Sequence, residues 1–299
     1  MQSKTAYTRH GIHCLALVSC LMCTGLVEAG ALERLFAPKA ELWAKWTQYA
    51  PDSSRRINHS SWDRFLHAWI ITGKDGINRL PYGNIARQDR QALSDYLSTM
   101  QQVIVSTHTR DQQLAYWVNL YNALTVKIIL EHYPVDSIRD IDISPGLFSD
   151  GPWGKKIVKI EGEALSLNDI EHRILRPVWK DPRIHYVVNC ASLGCPNLRQ
   201  QALTAANIET ELNAAAREFV NHDRGARFEN DELYVSSLYS WFQQDFGMNE
   251  KQVIEHLELY ADKILKQKLQ QVDSIAGDSY DWRLNDATRS EVSDPVTAR

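Results

Sequence analysis

Past residue 30 the chain is poor in cysteine. Of five in all, Cys14, Cys20 and Cys23 fall within the first 23 residues, which leaves Cys190 and Cys195. Two thiols make half of a structural zinc set, and the obvious supplements, His172 and His185, do not stand at finger spacing, so no metal site is expected. Past residue 30 there is no Cys-x-x-Cys pair, the usual unit of thiol redox catalysis. Positive charge is not in excess: Lys+Arg 33 against Asp+Glu 37 gives a formal net charge of −4, which offers nucleic acid no strong attraction. There is no internal repeat and no low-complexity tract. Neither a glycine-rich loop nor a catalytic loop accompanies Asp245-Phe246-Gly247, so that kinase-like triplet reads as a helix end with Gly247 as its C-cap. No cofactor is expected.

The N-terminus reads as an export signal. Lys4 and Arg9 precede an apolar stretch from Ile12 to Val27, and Val27-Glu28-Ala29 is a small-x-small cleavage site before Gly30. Such a stretch is too short and too weakly flanked for a stable membrane span. Leu17-Val18-Ser19-Cys20 resembles a lipoprotein box with Cys20 as the lipidated residue, but the apolar run continues beyond it. The expectation is a periplasmic or secreted protein, with lipid anchoring at Cys20 as the alternative. About 270 residues would remain, enough for one large domain.

Helices come first along the chain. From Ser60, Trp62, Phe65, Leu66, Trp69 and Ile70 share one helical stripe. A second amphipathic helix is expected over 87–104, with Leu93, Tyr96, Leu97, Met100 and Ile104 inward. A third opens at the capping box Thr109-Arg110-Asp111-Gln112 and runs to Pro134 as a core helix. Asn119 and Asn122 interrupt its apolar surface on adjacent turns. They either pin neighbouring loops through hydrogen bonds or face a cleft and orient a ligand or a catalytic group.

Beyond Pro134 the period shortens. Lys155 to Ile160 and Glu163-Ala164-Leu165 read as a hairpin, Ser166-Leu167-Asn168-Asp169 as a capping box, and Ile184 to Asn189 as a strand. A helix is expected from Thr204 to about Asn221. Arg227-Phe228 should pair with Leu233-Tyr234-Val235, and further helices should cover about 237–246 and 250–268. The sum is an α+β fold: a helical N-terminal half with a long buried core helix, then a small, mostly antiparallel sheet with flanking helices. The expected organisation is a signal peptide at 1–29, a helical extension at 30–59, one domain at 60–286 and a disordered tail at 287–299.

Three motifs carry a resemblance. Tyr116-Trp117-Val118-Asn119-Leu120-Tyr121-Asn122-Ala123-Leu124, Ser166 through Glu171-His172, and Arg183-Ile184-His185 through Asn189-Cys190 to Cys195-Pro196 together resemble the family catalogued as domain of unknown function 547. Tyr280-Asp281-Trp282-Arg283-Leu284-Asn285 looks like that family's closing strand. The resemblance implies the fold and the core motifs and leaves the chemistry open, because the family name records no activity.

The chemistry therefore has to come from the residues. In a strand, His185, Val187 and Asn189 would share one face, with Cys190 on the other. The loop Ala191-Ser192-Leu193-Gly194 lets Cys190 and Cys195 approach to disulfide distance, and an oxidising compartment favours that bond. One reading is a non-catalytic binding module of the cell envelope, with a cleft near Asn119, Asn122, His185 and Cys190. Trp117, Asn189 and Trp153 would be its ligand contacts, and a small molecule or an envelope protein its partner. The alternative is a papain-like or transglutaminase-like thiol hydrolase or acyltransferase, in which Cys190 attacks, His185 is the base and Asn119, Asn122 or Asp169 orients it. Against it, the cysteine follows the histidine in the chain, the reverse of the order in those enzymes.

Overall fold

The stretch from Arg110 to His132 is apolar on every side, and a helix of that kind can only be a core element. In the computed structural model, which describes residues 37–146 and 151–288, it is helix α3 (Arg110–His132), buried along most of its length. Thr109 caps it by accepting from Gln112 N. The other half of the expected capping box is diverted, because Gln112 Oε1 accepts from Ile57 N at 3.1 Å and so ties the N-terminal extension to the core helix. Before α3 come α1 (Ser60–Trp69) and α2 (Arg87–Met100). They bury Trp62, Phe65 and Leu66, and Leu93, Tyr96, Leu97 and Met100. Helix α2 stops at Met100, and Ile104, expected to point inward, is 53% exposed.

The strands form three small sheets. β1 (Ile71–Thr72) pairs with β2 (Asn78–Arg79), and β3 (Val158–Ile160) with β4 (Glu163–Leu165), both antiparallel. β5 (Ala226–Glu229) pairs antiparallel with β6 (Glu232–Ser236) in the expected register, Phe228 opposite Leu233, and β6 pairs parallel with β7 (Gly277–Ser279). Helices flank them: α4 (Arg176–Trp179), α5 (Ile208–Val220), α6 (Ser237–Trp241), α7 (Gln243–Phe246), α8 (Glu250–Tyr260) and α9 (Lys263–Leu269). The architecture is α+β, helical in its N-terminal half.

Four segments depart from the sequence reading. The helical extension is, over 37–59, a single 3-10 turn (Ala44–Thr47) in otherwise irregular chain. Pro38 and Pro51 interrupt any helix there, and Glu41 N and Trp43 N donate instead to His172 O and Arg173 O. Second, 184–189 is not a strand: Pro182–Tyr186 is a 3-10 turn capped by Asp181, followed by irregular buried chain. Third, the helix after the Ser166–Asp169 box, whose reciprocal bonds both form, is wound as a π-turn over Asp169–Leu175 and continues through Pro177 to Trp179. Lastly, Tyr280 to Asn285 is not a ladder strand. It makes an isolated bridge between Leu284 and Ser192, and Leu193 N and Gly194 N donate to Arg283 O and Asp281 O at 2.8 Å each. The export signal, Cys20 and the tail beyond Thr288 lie outside the described residues.

Candidate functional site

Those departures build a cleft. The π-turn, the 3-10 turn, the loop closed by Cys190 and Cys195, helix α6 with the chain after it, and the extended C-terminal segment surround a cavity of about 700 Å³. Arg139, Glu171, His172 and His185 are among its ionisable groups. Trp153, Trp241, Phe242, Tyr280 and Trp282 supply its aromatic lining. The rings form a continuous wall: Trp241 stacks on Trp282 with centroids 5.5 Å apart, and Tyr280 lies 4.7 Å from Trp282 and 4.8 Å from Trp241. Among the described residues Trp241 Nε1 and Trp282 Nε1, both buried, have no hydrogen-bond partner.

His185 is fixed on three sides. Its ring stacks on Phe242 with centroids 4.6 Å apart, and its Nε2 lies 2.7 Å from Asp245 Oδ2, which also accepts from Arg176 Nε at 2.5 Å. Burial works to raise the Asp245 carboxyl, but the bonds from His185 and Arg176 outweigh it and hold the group well below the usual carboxylate range. An ionised carboxylate only accepts, so His185 Nε2 carries the proton of that bond. Among the described residues its Nδ1, itself enclosed, has no hydrogen-bond partner; it lies 3.8 Å from Glu171 Oε1. His172 Nδ1, 3.9 Å from the same oxygen, accepts from Arg176 Nη1 at 2.9 Å. Burial lowers the His172 pKa to about 4, so this imidazole is neutral at neutral pH.

Cys190 and Cys195 lie at disulfide distance, with Cα atoms 6.3 Å apart. The Tyr280 hydroxyl spans them, 3.0 Å from Cys195 Sγ and 3.1 Å from Cys190 Sγ, and accepts from Ser192 Oγ at 3.0 Å. Gly194 is required by this closeness: a Cβ there would stand 2.7 Å from Asp281 N and 3.0 Å from the Tyr280 ring.

The structure separates the residues picked out by sequence into two groups. His185, Cys190, Cys195 and Trp153 line the cleft. The other four are buried in the frame beneath it. Asn119 holds Leu203 through both its backbone groups, at 2.7 and 3.1 Å, and Asn122 holds Val187 O at 2.8 Å and Asn189 N at 2.9 Å. Asn189 donates to Pro196 O and accepts from Ala191 N, bracing the cysteine loop, while Trp117 is fully enclosed by the core. Sequence reasoning missed Asp245, set aside with its kinase-like triplet. It also missed Glu171, Tyr280 and Trp282 as site residues, although all three stand in the motifs already quoted. Nothing local marked Trp241 or Phe242. Among the described residues no group of three His, Cys, Asp or Glu side chains has the geometry to hold a metal ion.

Residues 105–220 match the model of a family described as "Protein of unknown function, DUF547", so the resemblance read from the motifs is shown over that stretch. It includes Glu171, His172, His185 and both cysteines, while Asp245 and the tryptophans 241 and 282 lie outside it. No curated protein and no solved structure matches the chain.

Proposed function

We propose that this protein is an exported, non-catalytic binding module of the cell envelope, whose ligand occupies the aromatic cleft beside His185. One observation carries the reading: a cavity of about 700 Å³ in which an aromatic wall of Trp153, Trp241, Phe242, Tyr280 and Trp282 meets a few polar groups, Arg139, Glu171 and His172 among them. Mostly apolar pockets with a few convergent polar groups are the usual form of small-molecule sites. The cysteine loop and its bonds to the C-terminal segment serve to keep one end of this cleft in a fixed shape.

The thiol hydrolase or acyltransferase is the second reading. What favours it is that Asp245 orients His185 much as a third group orients a catalytic base. What weakens it is the cysteine. The polar neighbours of Cys190 Sγ are Tyr280, Ser192 and its partner Cys195, and a sulfur in a disulfide cannot attack. Alkylation of the mature native protein without reductant, read by mass spectrometry, separates the two. No label on either cysteine is expected; selective labelling of Cys190, lost in His185→Ala, would put the enzyme in place of the module.

Export has its own measurement. N-terminal sequencing of protein from its native host is expected to begin at Gly30. A start at lipid-modified Cys20 would replace secretion with anchoring, and an intact Met1 in a cytoplasmic fraction would refute both.

A further inference from the structure

Resting on the binding-module reading, we infer that the cleft takes a small thiol with an apolar body, which adds to Cys190 as a mixed disulfide and releases Cys195 as the thiolate.

The two sulfurs of the clip are not equivalent. Both cysteines line the cleft, but Cys195 is only 3% exposed, whereas Cys190 is half-buried. Hydrogen bonds divide them further. Ser192 Oγ donates to the Tyr280 hydroxyl at 3.0 Å, and Tyr280 donates onward to Cys195 Sγ, also at 3.0 Å. Each hydroxyl carries one proton, so neither has another for Cys190 Sγ, although they stand 3.4 and 3.1 Å from it. The backbone adds a second donor on the same side, because Cys190 N donates to Cys195 Sγ at 2.9 Å. Burial pushes the Tyr280 pKa up, so this hydroxyl keeps the proton it donates.

That asymmetry sets the direction of thiol–disulfide exchange. An incoming thiolate attacks one sulfur and expels the other, and the sulfur that leaves faster is the one whose thiol has the lower pKa. Two donors aimed at Cys195 Sγ stabilise negative charge there, since hydrogen bonds to ionised groups are the strong ones. Arg224 Nη1, which donates to Leu193 O and Cys195 O, brings a positive charge to the same loop, while the Glu171 charge, also felt at Tyr280, opposes it. In the step itself the ligand thiolate forms a bond to Cys190 Sγ, the Cys190–Cys195 bond breaks, and its electron pair stays on Cys195. The ligand sulfur is oxidised and Cys195 is reduced, so no third reagent is consumed.

The apolar body follows from what adjoins the disulfide. The Tyr280 hydroxyl touches both sulfurs, and its ring lies 4.8 Å from Trp241 and 4.7 Å from Trp282. A thiol whose carbon body rests on this wall brings its sulfur to Cys190, the more open of the two.

The test treats the mature native protein at neutral pH with limiting phenylmethanethiol or 2-mercaptoethanol, two thiols of similar acidity, and quenches with N-ethylmaleimide before both cysteines are mapped by mass spectrometry. The expected product carries the thiol on Cys190 and the maleimide on Cys195, in at least about tenfold excess over the reverse. With each rate divided by that on urea-unfolded protein, phenylmethanethiol is expected to react at least about tenfold faster than 2-mercaptoethanol, because its ring is buried on the wall. Tyr280→Phe should slow the exchange about tenfold, the loss of one bond to an ionised group; if that variant does not fold, the wild-type products decide alone. Adducts shared equally between the cysteines or placed on Cys195, resistance to both thiols until the protein is unfolded, or no preference for the phenyl thiol would overturn the assignment and leave the binding module standing. Cysteines that take up maleimide before any thiol is added would also overturn it, and that measurement without thiol is where failure of the module itself is read.

Discussion

Acidification is expected to strip this fold of stability steeply between about pH 6.5 and pH 4, by about 4 kcal/mol per pH unit at the steepest point. Three histidines cause it. His59 bonds the Tyr96 hydroxyl at 2.8 Å, His256 the Tyr186 hydroxyl at 2.9 Å, and His172 is locked to Arg176. Burial lowers the pKa of each from 6.5 to about 4. In the unfolded chain all three take up protons as the pH passes 6.5, while in the folded protein they stay neutral until about 4. Over that window the unfolded state binds more protons, so stability falls as pH falls, by about 1.4 kcal/mol per unit for each histidine. The contribution is whole above pH 6.5 and gone below about 4. Asp245 acts in the same sense but lower: its depressed pKa adds stability that is present above about pH 4, where unfolded aspartate ionises, and is lost only on further acidification. Urea unfolding at a series of pH values measures the slope. A midpoint that stays level from pH 7 to pH 4.5 would show that these imidazoles are charged, or not enclosed, in the folded protein.

The same residues show which parts of the molecule could be read in advance. Helix α3 was legible because its apolar character is continuous and its cap is local, and the pairing of Phe228 with Leu233 was legible because a short turn joins the two strands. The run Tyr186-Val187-Val188 looked like a strand for a sound reason, since it is apolar and β-branched. With no described strand alongside, Val187 N and Val188 N turn back to Ile184 O, and the side chain of Asn122, from elsewhere in the chain, meets Val187 O and Asn189 N. The cysteine pair could be seen in the sequence because loop length and Gly194 decide its approach. Asp245 could not, since its meaning arises only when α7 packs against the 3-10 turn and brings it 2.7 Å from His185, 60 residues away in sequence. The aromatic wall is hidden for the same reason. Trp153, Trp241 and Trp282 belong to three separate segments, and each alone reads as packing.

Asn122→Leu should cost about 2 to 5 kcal/mol, more than a single lost hydrogen bond, because this one amide serves two buried backbone groups at once. Its Nδ2 donates to Val187 O and its Oδ1 accepts from Asn189 N, and both belong to the irregular segment that carries His185 into the cleft. Leucine has the same branched shape and is no smaller, so the cost is not that of a cavity. It is the desolvation of a carbonyl and an N–H that no strand is placed to satisfy, at about 1 to 3 kcal/mol each. Asn119→Leu orphans the two backbone groups of Leu203 in the same manner, and a cost of similar size is expected. The two variants should nevertheless differ in one respect. Asn122 holds the chain between His185 and Cys190, so its loss should also loosen the Asp245 pair and expose the cysteine loop, whereas Leu203 lies beyond that loop. Chemical unfolding gives the cost, and hydrogen exchange at Ala191 and Gly194 gives the difference. Unfolding midpoints equal to wild type for both variants would refute the keystone role. Equal protection of the loop in Asn119→Leu and Asn122→Leu would refute the claim that Asn122 in particular positions the site.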